Sequence, residues 1–92
     1  MIYFEWDENK RQINLQKHGI DFIGVEEVFD GDTVTLEDKR LYYGEQRFVT
    51  LGMKLGRVVA VVYTERGDAI RIISIRKATK YEQRTYFSQI SH

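Results

Sequence analysis

R-F-V-T-L-G-M-K-L-G-R-V-V-A-V-V-Y-T-E-R-G-D-A-I-R-I-I-S-I-R, Arg47 to Arg76, is three apolar, β-branched runs separated by two glycine-bearing breaks. This pattern predicts strands over Arg47 to Met53, Arg57 to Thr64 and Ala69 to Arg76. Turns are expected at Lys54-Leu55-Gly56 and at Glu65 to Asp68, so the three runs form an antiparallel meander. The middle run is apolar on both faces, as a central strand should be. Simple hairpin registers place Val49, Leu51, Met53, Val59, Val61, Ile73 and Ile75 on one face. Phe48, Thr50, Gly52, Val58, Ala60, Thr64, Ile70, Ser74 and Arg76 fall on the other. A slip of one residue would exchange these sets.

Outward from this core, Arg76-Lys77 runs at once into a helix. Thr79 followed by Glu82 is a capping box that starts it, and Tyr86, Phe87 and Ile90 give it an apolar side. Toward the N-terminus, Thr33 to Glu37 reads as a strand and Asp38 to Glu45 as a polar loop. Phe22, Val25, Val28 and Phe29 recur at helical spacing behind Asp21, a candidate cap. A helix is expected from Glu8 to His18, capped by Asp7 and ended by Gly19. Ile2, Phe4 and Trp6 alternate as a short strand. The order β-α-α-β-β-β-β-α describes an α+β fold: an antiparallel sheet with two helices before the meander and one after it.

The chain of 92 residues is expected to form one domain, 1–92. It has no cysteine, which fits a reducing compartment, and no apolar run of membrane-spanning length. The expectation is a cytoplasmic protein without a membrane partner. With only His18 and His92 as histidines, and acids that do not cluster, neither a metal site nor a cofactor is expected. No phosphate-cradling loop, dinucleotide fingerprint or serine-hydrolase arrangement occurs. The net charge of zero hides a division: 5 − 11 = −6 over Met1 to Glu45 and 9 − 3 = +6 over Gln46 to His92. Such asymmetry points to two surfaces with different partners, one of them suited to nucleic acid.

Arg71, Arg76, Lys77, Lys80 and Arg84, with Tyr81 and Tyr86, gather where the last strand meets the last helix. Cations hold phosphates and aromatic rings stack on bases. RNA can be cut without a metal when a base takes the 2′-hydroxyl proton, an acid protonates the leaving oxygen and cations stabilise the phosphate. Arg47, Arg71, Arg76, Lys77 and Lys80 are candidate clamps; Glu45, Glu82, His18 and a lysine or tyrosine are candidate proton carriers. Each has a plainer role too. The capping box accounts for Glu82, the helix dipole for His18, and core packing for Tyr86. In the simple register Arg47 lies across from Tyr63, and Tyr63 across from Arg71, with Arg76 at the other end and on the other face. That arrangement leaves open one site or two.

F-E-W-D-E-N-K at Phe4 to Lys10 and N-L-Q-K-H-G-I at Asn14 to Ile20 together resemble the opening of the BrnT ribonuclease toxins. F-I-G-V-E-E-V-F-D at Phe22 to Asp30, G-E-Q-R-F-V-T-L-G at Gly44 to Gly52, and R-I-I-S-I-R-K-A-T-K-Y-E at Arg71 to Glu82 followed by Tyr86 resemble that family's later segments. Ile75 departs from the small residue common there. The resemblance implies a fold similar to RelE-type ribonucleases and a metal-independent toxin that halts translation by cutting RNA. It also implies a BrnA-like ribbon-helix-helix antitoxin, a 2:2 complex, and contact with operator DNA only through that antitoxin. By motif position, the active residues it implies are His18, Glu45, Arg47, Arg76, Lys77 and Tyr86, with base and acid unassigned. Arg71, Lys80, Tyr81, Arg84 and Tyr63 are the candidate RNA contacts. Two alternatives use the same residues: a non-catalytic nucleic-acid-binding module, and a protein-interaction module whose tyrosines and arginines form an interface.

Overall fold

The computed structural model describes residues 2–39 and 44–90. Part of the expected polar loop, 40–43, and His92 lie outside them. The elements run β1 (Tyr3–Glu5), α1 (Glu8–His18), α2 (Glu26–Asp30), β2 (Val34–Asp38), β3 (Arg47–Lys54), β4 (Arg57–Arg66), β5 (Ala69–Lys77) and α3 (Lys80–Ile90). This is the expected α+β order. β2 to β5 form the antiparallel meander. β1 joins the far side of β5 in parallel, so the five-stranded sheet, ordered β1-β5-β4-β3-β2, is mixed. No helix among the described residues is long and apolar enough to cross a membrane.

The hairpins correct the expected register. β3 and β4 are joined by two residues rather than three: Lys54 pairs with Arg57, and Leu55 (φ 52°) and Gly56 (φ 79°) both take positive φ. Positive φ at both central positions is the type I′ geometry, whose twist matches that of the strands. Phe48, not Arg47, therefore lies across from Tyr63, and Ile72, not Arg71, lies on its other side. A bulge at Val62/Tyr63 leaves Ile73 as the extra residue of β5.

The expected faces are redistributed accordingly. Val59, Val61, Tyr63, Ile72 and Ile75 pack with Phe22, Val25 and Val28 under α2. Val49, Leu51, Val58 and Ala60 pack with Ala78 and Tyr86 under α3. Each face thus has its own apolar layer. Burying one such side chain contributes about 1.5–3 kcal/mol.

The second helix is shorter than its apolar spacing suggests. Gly24 has φ 90°, which a helix cannot contain. Phe22 to Val25 form a turn, and Asp21 accepts the Ile23 N–H at 3.0 Å rather than capping a helix. α2 approaches β3 closely at Gly52, where a Cβ would stand 2.7 Å from Val28 Cγ1 and 3.1 Å from the Val28 carbonyl oxygen. Gly52→Ala is expected to lower stability by about 1–3 kcal/mol through overpacking, with the fold retained. Urea denaturation of the two proteins measures the difference.

α1 is bounded as expected. Asp7 accepts the Lys10 N–H at 3.1 Å, and Gly19 closes the helix at φ 70°. Its one buried residue is polar, Asn14. β1 pairs with β5 only as far as Arg71, so the outer edge of β5 continues unpaired by strand. Asn14 takes the place of a strand there. Its Nδ2 donates to the Ile75 carbonyl at 2.9 Å and to the Ile20 carbonyl at 3.0 Å, and its Oδ1 accepts the Ile75 N–H at 3.3 Å. One carboxamide seats α1 on the sheet edge and satisfies backbone groups that burial would otherwise leave costly.

Candidate active site

Seating α1 against β5 creates a groove of about 410 Å³ between them. It is lined by Lys10, Ile13, Asn14, Lys17 and His18 from the helix, and by Ile73, Ser74 and Arg76 from the strand. No lining residue is acidic. Lys10, Asn14, Lys17 and His18 stand at i, i+4, i+7 and i+8, one stripe of α1. Asn14 anchors the stripe, which aims the cations and the imidazole along the same wall.

Arg76 has a second neighbourhood. It also lines a smaller depression of about 170 Å³ with Leu36, Glu37, Asp38, Lys39, Val49 and Glu82. Arg76 Nη1 donates to Glu82 Oε1 at 2.7 Å and Nη2 to Glu82 Oε2 at 3.0 Å, a bidentate pair. Glu82 also completes the capping box. Its Oε1 accepts the Thr79 N–H at 2.9 Å, while the Glu82 N–H donates to Thr79 Oγ1 at 3.1 Å. The two side chains are 28% and 15% exposed, so solvent screens the pair only in part.

The Arg76 guanidinium, with the Thr79 N–H assisting, holds the Glu82 carboxyl below the usual carboxylate range. A depressed folded-state pKa contributes stability that is complete above the ordinary glutamate pKa. That contribution is lost as pH falls through the depressed value. Asp21, lowered by the Ile23 N–H and by Arg11, adds in the same direction. Unfolding free energy is therefore expected to fall between about pH 5 and about pH 2, and Glu82→Gln to flatten part of that fall. Urea titrations across this range check it.

The structure brings together some of the expected site residues and separates others. His18 and Arg76 share the groove. Arg47 is on the same sheet face as Arg76, not the opposite one. Leu51, Ala60 and Arg76 lie side by side across β3, β4 and β5, and Arg47 is four residues along β3 from Leu51. Four residues along and two strands across separate the two Cα atoms by about 16 Å. Arg47 lies across from Asp38 on β2 and 3.8 Å from Glu45, which also pairs with Arg66 at 3.5 Å. Lys77 lies beside Arg57, Gln83 and Phe87, outside the groove.

Tyr86 is buried, and its hydroxyl donates to the Asp32 carbonyl at 3.0 Å. Burial pushes that hydroxyl's pKa up. Of the expected RNA contacts, Lys80, Tyr81 and Arg84 are exposed on α3. Arg71 is paired with Glu5 at 2.6 Å. Tyr63 is only 5% exposed, held against Phe29 and Phe48 with its hydroxyl bonded to Thr50 at 2.8 Å, so its ring offers no open face to a base.

The acidic and basic halves of the sequence do not become two faces. Arg71 pairs with Glu5 and Arg66 with Glu45 across that division, and the groove takes its cations from both halves. Lys10, Lys17 and Ser74 are polar groove residues that lie within the quoted motifs but are not among the expected site residues. The signal for the lysines is the polar stripe through Lys10, Asn14, Lys17 and His18 in a helix with few apolar residues. Among the described residues, no three His, Asp or Glu side chains are grouped so that they could hold a metal ion.

Comparison with known proteins agrees with this architecture. The family model described as the ribonuclease toxin BrnT of type II toxin–antitoxin systems matches residues 6–82. The chain is similar to the Brucella abortus ribonuclease toxin BrnT, known from a 1.1 Å crystal structure, with 30% sequence identity and a TM-score of 0.69. That match covers 87% of this chain and 100% of the other. No curated protein sequence matches. The family match takes in both walls of the groove and the Arg76–Glu82 pair, and the chain belongs to the BrnT family of ribonuclease toxins of type II toxin–antitoxin systems.

Proposed function

We propose that this protein is a toxin that cleaves RNA in the groove between α1 and β5, without a metal ion. One observation carries the reading: the fold places His18 and Arg76, 58 residues apart, in a groove that also holds Lys10 and Lys17 and no acid. Lys10 and Lys17 attract the RNA backbone. Arg76 donates to the phosphate as charge gathers on it in the transition state. His18 takes the 2′-hydroxyl proton, since a neutral imidazole is the side chain best suited to that transfer near neutral pH. The 2′-oxygen attacks phosphorus, the bond to the 5′-oxygen breaks to leave a 2′,3′-cyclic phosphate, and the departing 5′-oxygen takes a proton from water. Arg47 and the exposed Lys80, Tyr81 and Arg84 extend the surface over which the strand is held. A donor set of cations and an imidazole suits a phosphodiester and lacks the carboxylates that hard divalent ions require.

The biological reading follows from the family. RNA cutting halts translation in the cytoplasm, and an antitoxin of the BrnA ribbon-helix-helix kind neutralises the toxin, in a 2:2 complex that reaches operator DNA through the antitoxin. The test is induced expression in bacteria, with and without the gene beside the toxin gene, while growth and total RNA integrity are followed. Growth arrest with RNA decay, relieved by the neighbouring gene, is the expected result. Normal growth with intact RNA, from protein shown to be folded, would overturn the reading in favour of a non-catalytic binding module.

A further inference from the structure

Arg76 is a long side chain at the end of a strand, and such a side chain ordinarily samples many rotamers. Here its guanidinium is gripped at both Nη atoms by one carboxylate. Nη1 also reaches the Lys77 carbonyl at 3.5 Å. None of these bonds uses Nε, and no group among the described residues accepts its N–H. The Nη end of the guanidinium is thus fixed by protein groups, while those bonds leave Nε unused. The carboxylate itself is fixed at the first turn of α3 by the Thr79 backbone N–H, a bond that does not depend on the Thr79 side chain.

We propose that Glu82 is a positioning residue: it ties the start of α3 to the guanidinium of Arg76 and presets the Nε edge toward RNA phosphate. This rests on the ribonuclease reading above. Pre-orienting donors before the reaction removes a reorganisation cost from the transition state. The pair also carries no net charge. Long-range attraction for RNA therefore falls to Lys10 and Lys17, while Arg76 supplies direction rather than charge. A capping box works with glutamine as well as glutamate, so helix capping and arginine positioning can be separated by one substitution.

The experiment measures kcat and KM for cleavage of a short RNA by the wild type, Glu82→Gln, Arg76→Ala, the double variant and Thr79→Ala, with thermal unfolding of each. Glu82→Gln is expected to lower kcat by about 10–100-fold, the range that misplacing a reacting group produces, with a fall in melting temperature no larger than that of Arg76→Ala. In the Arg76→Ala background it is expected to change kcat by less than about 2-fold, because the group it positions is gone. Thr79→Ala removes half of the capping box without touching the ion pair, and is expected to lower stability while keeping kcat. The assignment is overturned by full activity in Glu82→Gln, by an equal loss in both backgrounds, or by a loss in Thr79→Ala as large as that in Glu82→Gln. A wild-type chain that leaves RNA whole overturns the ribonuclease reading, and this assignment with it.

Discussion

Arg76→Ala is expected to reduce RNA cleavage by about 100–1,000-fold and to abolish growth arrest, while the protein stays folded. The magnitude is that of removing one preorganised donor from a site where charge develops on oxygen. The substitution is tolerable because Arg76 is partly exposed and belongs to neither apolar layer. It leaves Glu82 with its Thr79 bonds but without a counter-charge, a loss of about 1 kcal/mol after discounting for solvent, or about 4–8 °C in melting temperature. Arg76→Lys sharpens the result. It keeps a positive charge but loses the planar fork, and is expected to recover little of the activity. A well-folded Arg76→Ala protein that cuts RNA at the wild-type rate would remove Arg76 from the site.

Asn14→Leu is expected to be the most damaging single change in α1, costing about 2–4 kcal/mol. Its side chain fills similar space but offers no hydrogen bond. The Ile75 N–H and C=O and the Ile20 C=O then lose their partner in a buried position, at about 1–3 kcal/mol for each group that water cannot reach. By contrast Gln12, exposed on the same helix, should accept leucine with a change within about 0.5 kcal/mol. Denaturant titration of both variants gives the comparison. Asn14→Leu should also reduce cleavage under conditions where it remains folded, because the helix carrying Lys10, Lys17 and His18 is no longer pinned to the strand carrying Arg76.

What was legible in the sequence depended on whether a local rule had competition. α1 begins at an aspartate cap and ends at a glycine, and both boundaries are met by the structure. The Thr79–Glu82 box is likewise read from spacing alone. The register of β3 was not legible, because Lys54-Leu55-Gly56 suits a three-residue turn as well as a two-residue one. Leucine is also an uncommon residue at positive φ. The apolar runs of β4 gave no parity by which to choose, since that strand is buried on both faces. The direction of β1 had no signal either, as three residues alternate alike in parallel and antiparallel pairing. The candidate site suffered from the same error: with the register slipped by one, Arg76 fell on the face opposite Arg47. Its groove partners on α1 were hidden because the helix is held by a buried asparagine rather than an apolar stripe.

The parallel pairing of β1 with β5 has a consequence in time. Glu5 and Arg71, the last pair of that ladder, are 66 residues apart. The β2–β5 meander and α1 rest on local contacts, whereas the β1–β5 ladder closes a loop across most of the chain, and contacts of that separation form late. On the ribosome, α1 can coil early, but it has nothing to dock on until Ser74 to Ile75 emerge. Arg76 has no grip until Glu82 follows. A nascent chain therefore carries no assembled groove until β5 and the first turn of α3 have been made.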